Sequence, residues 1–173
     1  MVLSKLKTRL ASCVFWSLFI CIPIAAQSTA LFPIQQNDRW GYIDRSGKIV
    51  IEPRFESARE FSEGLAVVYL DGKSGFIDTS GKIVIEPKYP VARPFSEGLA
   101  RVQVSGEPYS YEGQWGFIDR TGQMVIAARF GKLEGVSEEA YDFHDGLAMI
   151  QSGGLTGFID KKGNTVIDRK SVV

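Results

Sequence analysis

The stretch Gly75-Phe76-Ile77-Asp78-Thr79-Ser80-Gly81-Lys82-Ile83-Val84-Ile85-Glu86-Pro87, followed by Phe95-Ser96-Glu97-Gly98-Leu99-Ala100, recurs through most of the chain. Its first half returns as Trp40 to Ile51, Trp115 to Ile126 and Gly157 to Asp168, and its second half as Phe61 to Ala66 and Phe143 to Ala148. The glycines that open the copies, Gly41, Gly75, Gly116 and Gly157, are 34, 41 and 41 residues apart. A basic unit with insertions of constant size identifies a repeat array, in which each unit buries its apolar face only by stacking on a neighbour.

Within a unit the alternation is that of strands. Gly-aromatic-Ile-Asp reads as one short strand and the β-branched run Ile83-Val84-Ile85 as the next. Between them Asp-x-x-Gly suits a type I turn whose last residue goes left-handed, because Asp accepts a backbone N–H and Gly takes positive φ without a Cβ clash. All four copies keep both residues: Asp44/Gly47, Asp78/Gly81, Asp119/Gly122 and Asp160/Gly163. After the hairpin, Glu52-Pro53 and Glu86-Pro87 are expected to leave the sheet, since proline gives no N–H to a ladder. A link of about ten residues then leads to a third strand that begins Leu65-Ala66, Leu99-Ala100 or Leu147-Ala148.

The expected unit is therefore a three-strand antiparallel meander, and the expected fold class is all-β. The units form an open, twisted stack, with a partial propeller-like arrangement as the alternative. Leu31-Phe32-Pro33-Ile34 takes the place of the third strand ahead of the first copy, and the repeat domain spans 31–168, with a tail over 169–173. Two insertions break the pattern, at 105–114 before Trp115 and at 131–142 in a link. Within the second, 136–141 carries the chain's only helix-like signal. Insertions in repeat arrays gather on one face, often the binding face.

Residues 1–30 have the three-part layout of a secretory signal peptide: Lys5, Lys7 and Arg9, an apolar run over 10–24, and small residues at 25–30. The run is shorter than the roughly 20 residues that cross a bilayer. Cleavage leaves no membrane span and a secreted or periplasmic product; an uncleaved anchor is the alternative. Both cysteines, Cys13 and Cys21, fall in this segment, so the remaining chain has no thiol chemistry. Removing its three basic residues from the 20 leaves 17 against 20 acidic ones, without a basic cluster. That excludes nucleic acid as a natural partner.

The run Trp-Gly-Tyr-Ile-Asp-x-x-Gly-Lys-Ile-Val-Ile-x-Pro-x-Phe, followed by Phe-x-Glu-Gly-Leu-Ala, resembles the bacterial WG-repeat (KWG-type) proteins over 40–168. The resemblance implies an exported or surface-associated β-repeat protein with no established catalytic activity. The tryptophan behind the family's name stands at Trp40 and Trp115 and is replaced by Ser74 and Thr156.

No catalytic, cofactor or metal-binding residues are assigned. The repeated aspartates stand singly, whereas calcium takes six to eight clustered oxygens, so they are read as turn caps. Glu52, Glu63, Glu86, Glu97 and Asp145 occupy equivalent places in different units, as scaffold residues do. His144, between Asp142 and Asp145, has no nucleophile or thiol ligand in reach. The ten aromatics that recur with the period form the core. Tyr109, Tyr111 and Tyr141 lie in the insertions and do not recur, so with Trp115 they make the candidate contact patch. The expected function is an exported, non-catalytic module that binds a protein, a peptide or an envelope glycan. The alternatives are a small envelope hydrolase using acidic residues or His144, and an assembly piece that extends another chain's sheet.

Overall fold

The structure is a computed structural model that describes residues 30–107, 113–133, 136–152 and 155–171; the leader, Tyr109 and Tyr111 lie outside them. The described residues form four antiparallel sheets and no helix. Sheet I holds β1 (Phe32–Gln36), β2 (Arg39–Ile43) and β3 (Ile49–Phe55). Sheet II holds β4 (Ser57–Ala58), β5 (Leu65–Leu70), β6 (Lys73–Asp78) and β7 (Ile83–Tyr89). Sheet III repeats this with β8 (Val91–Ala92), β9 (Ala100–Gln103), β10 (Trp115–Ile118) and β11 (Met124–Phe130). Sheet IV has five strands, β12 (Lys132–Leu133), β13 (Val136–Ala140), β14 (Leu147–Ser152), β15 (Leu155–Asp160) and β16 (Thr165–Ser171).

Each sheet runs in sequence order, so the all-β repeat architecture holds, but the unit is larger than expected. The link contributes a two-residue edge strand, β4 or β8, which turns the three-strand meander of sheets II and III into four strands. In sheet IV, where the link is longer, β12 pairs antiparallel with β13, Lys132 with Ser137 and Leu133 with Val136. Residues 136–140, read from sequence as a helical turn, are a strand instead. Pairing of Glu138, Glu139 and Ala140 with Ser152, Gln151 and Ile150 supplies backbone partners that an isolated helical turn lacks. The last strand reaches Ser171, past the expected limit at 168.

The glutamate-proline step also differs from expectation. Glu52-Pro53 stays inside β3, where the register slips between Trp40↔Phe55 and Tyr42↔Ile51, so Glu52, Pro53 and Arg54 bulge opposite Gly41. A bulge has no ladder hydrogen bond for proline to break. It also explains the opening glycine: a Cβ at Gly75 would sit 2.7 Å from Ile85 O and from Pro87 N, and one at Gly116 2.7 Å from Ile126 O. Glycine is there because the bulged backbone passes directly over it.

The Asp-x-x-Gly turns are as expected. Asp44 Oδ1 accepts from Ser46 N at 2.8 Å, Ser46 Oγ at 2.6 Å and Lys48 N at 3.1 Å, while Gly47 N donates to Asp44 O at 3.0 Å with Gly47 at φ 85°. Asp78, Asp119 and Asp160 do the same in their own turns, each accepting from the backbone amides two and four residues on. These bonds favour the ionised form and hold all four carboxyls below the usual aspartate range.

Three buried clusters glue the sheets together, each joining two successive ones. Tyr42, Ile51 and Phe55 of sheet I meet Ala66, Val68 and Ile77 of sheet II. Leu65, Val67, Phe76 and Ile85 on the opposite face of sheet II meet Ala100, Val102 and Ile118. Leu99, Phe117 and Ile126 then meet Ala148, Ile150 and Ile159. One ring in each junction comes from the loop motif: Tyr42 on Phe61, Phe76 on Phe95 and Phe117 on Phe143, with centroids 4.8, 4.9 and 5.0 Å apart. Polar bonds repeat beside them. Ser62 Oγ donates to Phe95 O at 2.6 Å and Ser96 Oγ to Phe143 O at 2.7 Å, while Glu63 and Glu97 accept from Gly98 N and Gly146 N at 3.0 and 2.8 Å.

Candidate functional site

The equivalent positions Trp40, Ser74, Trp115 and Thr156 pair with Gln35, Tyr69, Gln103 and Gln151 in the four sheets. They therefore take the same place in every sheet, and the first three lie next to the junction with the following sheet. Stacking turns residues that are remote in sequence into a row of three adjacent sites.

At the junction of sheets III and IV, Trp115 is half-buried against the cluster of Phe117, Phe130 and Phe143. The guanidinium of Arg101 lies 4.9 Å from the Trp115 ring centroid and 6.0 Å from that of Tyr141. A cation held against two aromatic faces is stabilised by their quadrupoles, and more so when shielded from water. Arg101 also forms an ion pair with Asp142 at 3.3 Å and donates to Ala140 O. Burial lowers the guanidinium from its usual range, while Asp142 acts in the opposite sense. The Tyr141 hydroxyl donates to Gln151 Oε1 at 3.2 Å.

At the junction of sheets I and II, a groove of about 590 Å³ is lined by Pro33, Trp40, Ala58, Arg59, Glu60, Phe61, Ser62 and Pro94. The hydroxyl of buried Tyr42 donates to Arg59 O at 2.7 Å and pins the backbone behind this groove. Between the two tryptophan sites, where Ser74 replaces Trp, a cavity of about 190 Å³ is lined by Ser57, Arg59, Val67, Tyr69, Ser74 and Ala92. An edge carrying ring, cavity and ring, with Arg59 and Arg101 along it, can stack on planar or apolar groups and give hydrogen bonds to acceptors.

Of the four expected contact residues, Trp115 and Tyr141 come together around Arg101; Tyr109 and Tyr111 lie outside the described residues. Arg101, Arg59 and Trp40 were not anticipated. Arg101 could have been found from the alignment of units, since it is a charged residue in the slot that sheet II fills with Val67.

The sequence-level candidates for chemistry are spread out. The four aspartates each close their own turn. His144 is exposed and holds its bend through backbone bonds with Leu147 at 2.8 and 3.1 Å. Glu63 and Glu97 cap the next unit's turn and lie 3.8 and 3.1 Å from Arg120 and Lys161. Among the described residues no group of three or more His, Cys, Asp or Glu side chains is close enough to hold a metal, and no helix is long and apolar enough to cross a membrane.

Comparison with known proteins finds the WG containing repeat at residues 40–73, 75–107 and 115–155. No curated protein matches the chain. Among solved structures, a chain described as the crystal structure of the eukaryotic initiation factor is similar over 78% of this chain and 38% of its own, with 16% sequence identity and a TM-score of 0.48.

Proposed function

Because the chain belongs to the family of WG containing repeat proteins, we propose that it is an exported module that works by binding rather than by catalysis. The partner is a protein, a peptide or an envelope glycan that lies along the edge carrying Trp40, Ser74 and Trp115. One observation carries this reading: the guanidinium of Arg101 lies against the rings of both Trp115 and Tyr141 at a sheet junction, with the indole only half-buried. A pre-ordered aromatic and cationic surface contributes to binding without a large entropic cost on association. Export rests on the basic, apolar and small-residue order of positions 5–30.

The test is recovery of partners from envelope extract by the intact protein, by Trp115→Ala with Tyr141→Ala, and by a variant whose 105–114 loop is cut to the length of 71–74. Loss of the same partner with both variants is expected. Equal recovery by all three removes this edge as the binding site.

A further inference from the structure

The two ends of the stack are the two halves of a junction that the chain builds three times internally. In sheets I to III the face toward the next sheet presents an aromatic and an isoleucine, Tyr42 with Ile51, Phe76 with Ile85 and Phe117 with Ile126, and these isoleucines are each 3% exposed. Sheet IV carries the same pair, Phe158 and Ile167, beside Leu147 and Met149, on a face that no further sheet covers among the described residues. Phe158, Leu147 and Met149 are half-buried and Ile167 is 44% exposed. The receiving face presents Ala66, Val68 and Ile77 in sheet II, with Ala100, Val102 and Ile118 and then Ala148, Ile150 and Ile159 in the sheets that follow. In sheet I these positions are Phe32, Ile34 and Ile43, all partly or wholly exposed.

The turn glycines record the same vacancy at the opposite end. A Cβ at Gly81, Gly122 or Gly163 would stand 3.1, 3.2 or 3.0 Å from the isoleucine of the preceding sheet, Ile51, Ile85 or Ile126. Among the described residues Gly47, the equivalent residue of sheet I, has nothing within 4 Å. Ile167 thus lacks a glycine turn to sit on, and Gly47 lacks an isoleucine.

We propose that the protein stacks head to tail on copies of itself, with the Phe158 and Ile167 face of one copy seated on the Phe32, Ile34, Ile43 and Gly47 face of the next. A second copy is the occupant because both exposed faces follow the residue pattern of the inner junctions. One position is altered in a compensating way. The inner junctions draw a ring from the loop motif, Phe61, Phe95 or Phe143, next to an alanine. On the outer face of sheet I the alanine is replaced by Phe32, so a ring comes from the strand itself. A contact between two different faces leaves one free half at each end, and the assembly grows past the dimer or closes into a ring.

Sedimentation velocity of the purified protein over a concentration series tests this independently of the binding edge, since neither Trp115 nor Tyr141 is touched. The expected result is a weight-average mass that rises beyond about two-fold. Phe32→Glu alone and Ile167→Lys alone each stay monomeric with an unchanged circular dichroism spectrum. The two variants mixed form a one-to-one dimer and stop there, because each retains one intact face. The proposal is overturned by a wild-type protein that is monomeric throughout, by self-association that both variants keep, or by association that only one of the two abolishes. Each of these last two outcomes describes a different or a self-paired surface.

Discussion

The carboxylate of Glu97 accepts a hydrogen bond from the Gly146 amide at 2.8 Å, across 49 residues of sequence. Lys161 stands 3.1 Å from the same oxygen. The amide and then the ammonium hold the Glu97 carboxyl below its usual range. Asp44, Asp78, Asp119 and Asp160 are shifted the same way. A carboxyl whose folded value is depressed contributes stability above its unfolded value and loses it as pH falls through the folded one. The melting temperature is therefore expected to be flat near neutrality and to fall below about pH 5. Glu97→Gln lowers it at pH 7 and makes no difference once the carboxyls are protonated. Thermal melts of both proteins across this range check the two statements together.

Gly75 and Gly72 separate two reasons for a glycine. Gly75→Ala drives a Cβ into the bulged backbone of Ile85 and Pro87, a clash expected to cost about 3 kcal/mol. Gly72 has open space around it but sits at φ 73°, so Gly72→Ala costs only about 1 kcal/mol. Urea unfolding of the two variants should rank them in that order, and the reverse would mean that the bulge yields easily.

The cavity beside Ser74 predicts a gain. Ser74→Trp places a ring where sheets I and III already carry one, and filling the space stabilises by about 1 kcal/mol. A shift of the urea midpoint to higher concentration is expected. An unchanged or lower midpoint would mean that the neighbouring Val67 and Tyr69 leave no room for the indole.

Arg101→Met keeps the apolar stem and removes the cation. Losing the stacking on Trp115 and the Asp142 pair lowers stability by about 1 to 2 kcal/mol. It also changes the intrinsic fluorescence, because Trp115 exchanges a charged neighbour for a thioether. Identical emission spectra would show that the ring and the guanidinium do not interact in solution.

What could be read from the sequence was whatever is decided locally. Asp44 and Gly47 close a turn with atoms at most four residues apart, so the hairpins were legible in every copy. The bulge at Glu52-Pro53 was not, because its fit depends on Gly41 across the ladder, and proline viewed alone argues against a strand. The 136–140 strand was missed for the same reason: Glu138, Glu139 and Ala140 have no marked strand preference, and pairing with β14 decides. At the candidate site, Tyr141 stood out as an aromatic that does not recur, and Trp115 as the tryptophan next to an insertion. Arg101 was hidden because its meaning lies in the stacking of sheet III on sheet IV.

Among the described residues the buried clusters join each sheet only to its neighbours in the stack, and none spans three. Under tension applied at its two ends, such a chain is expected to yield one sheet at a time, with each released sheet lengthening the tether while the others stay folded.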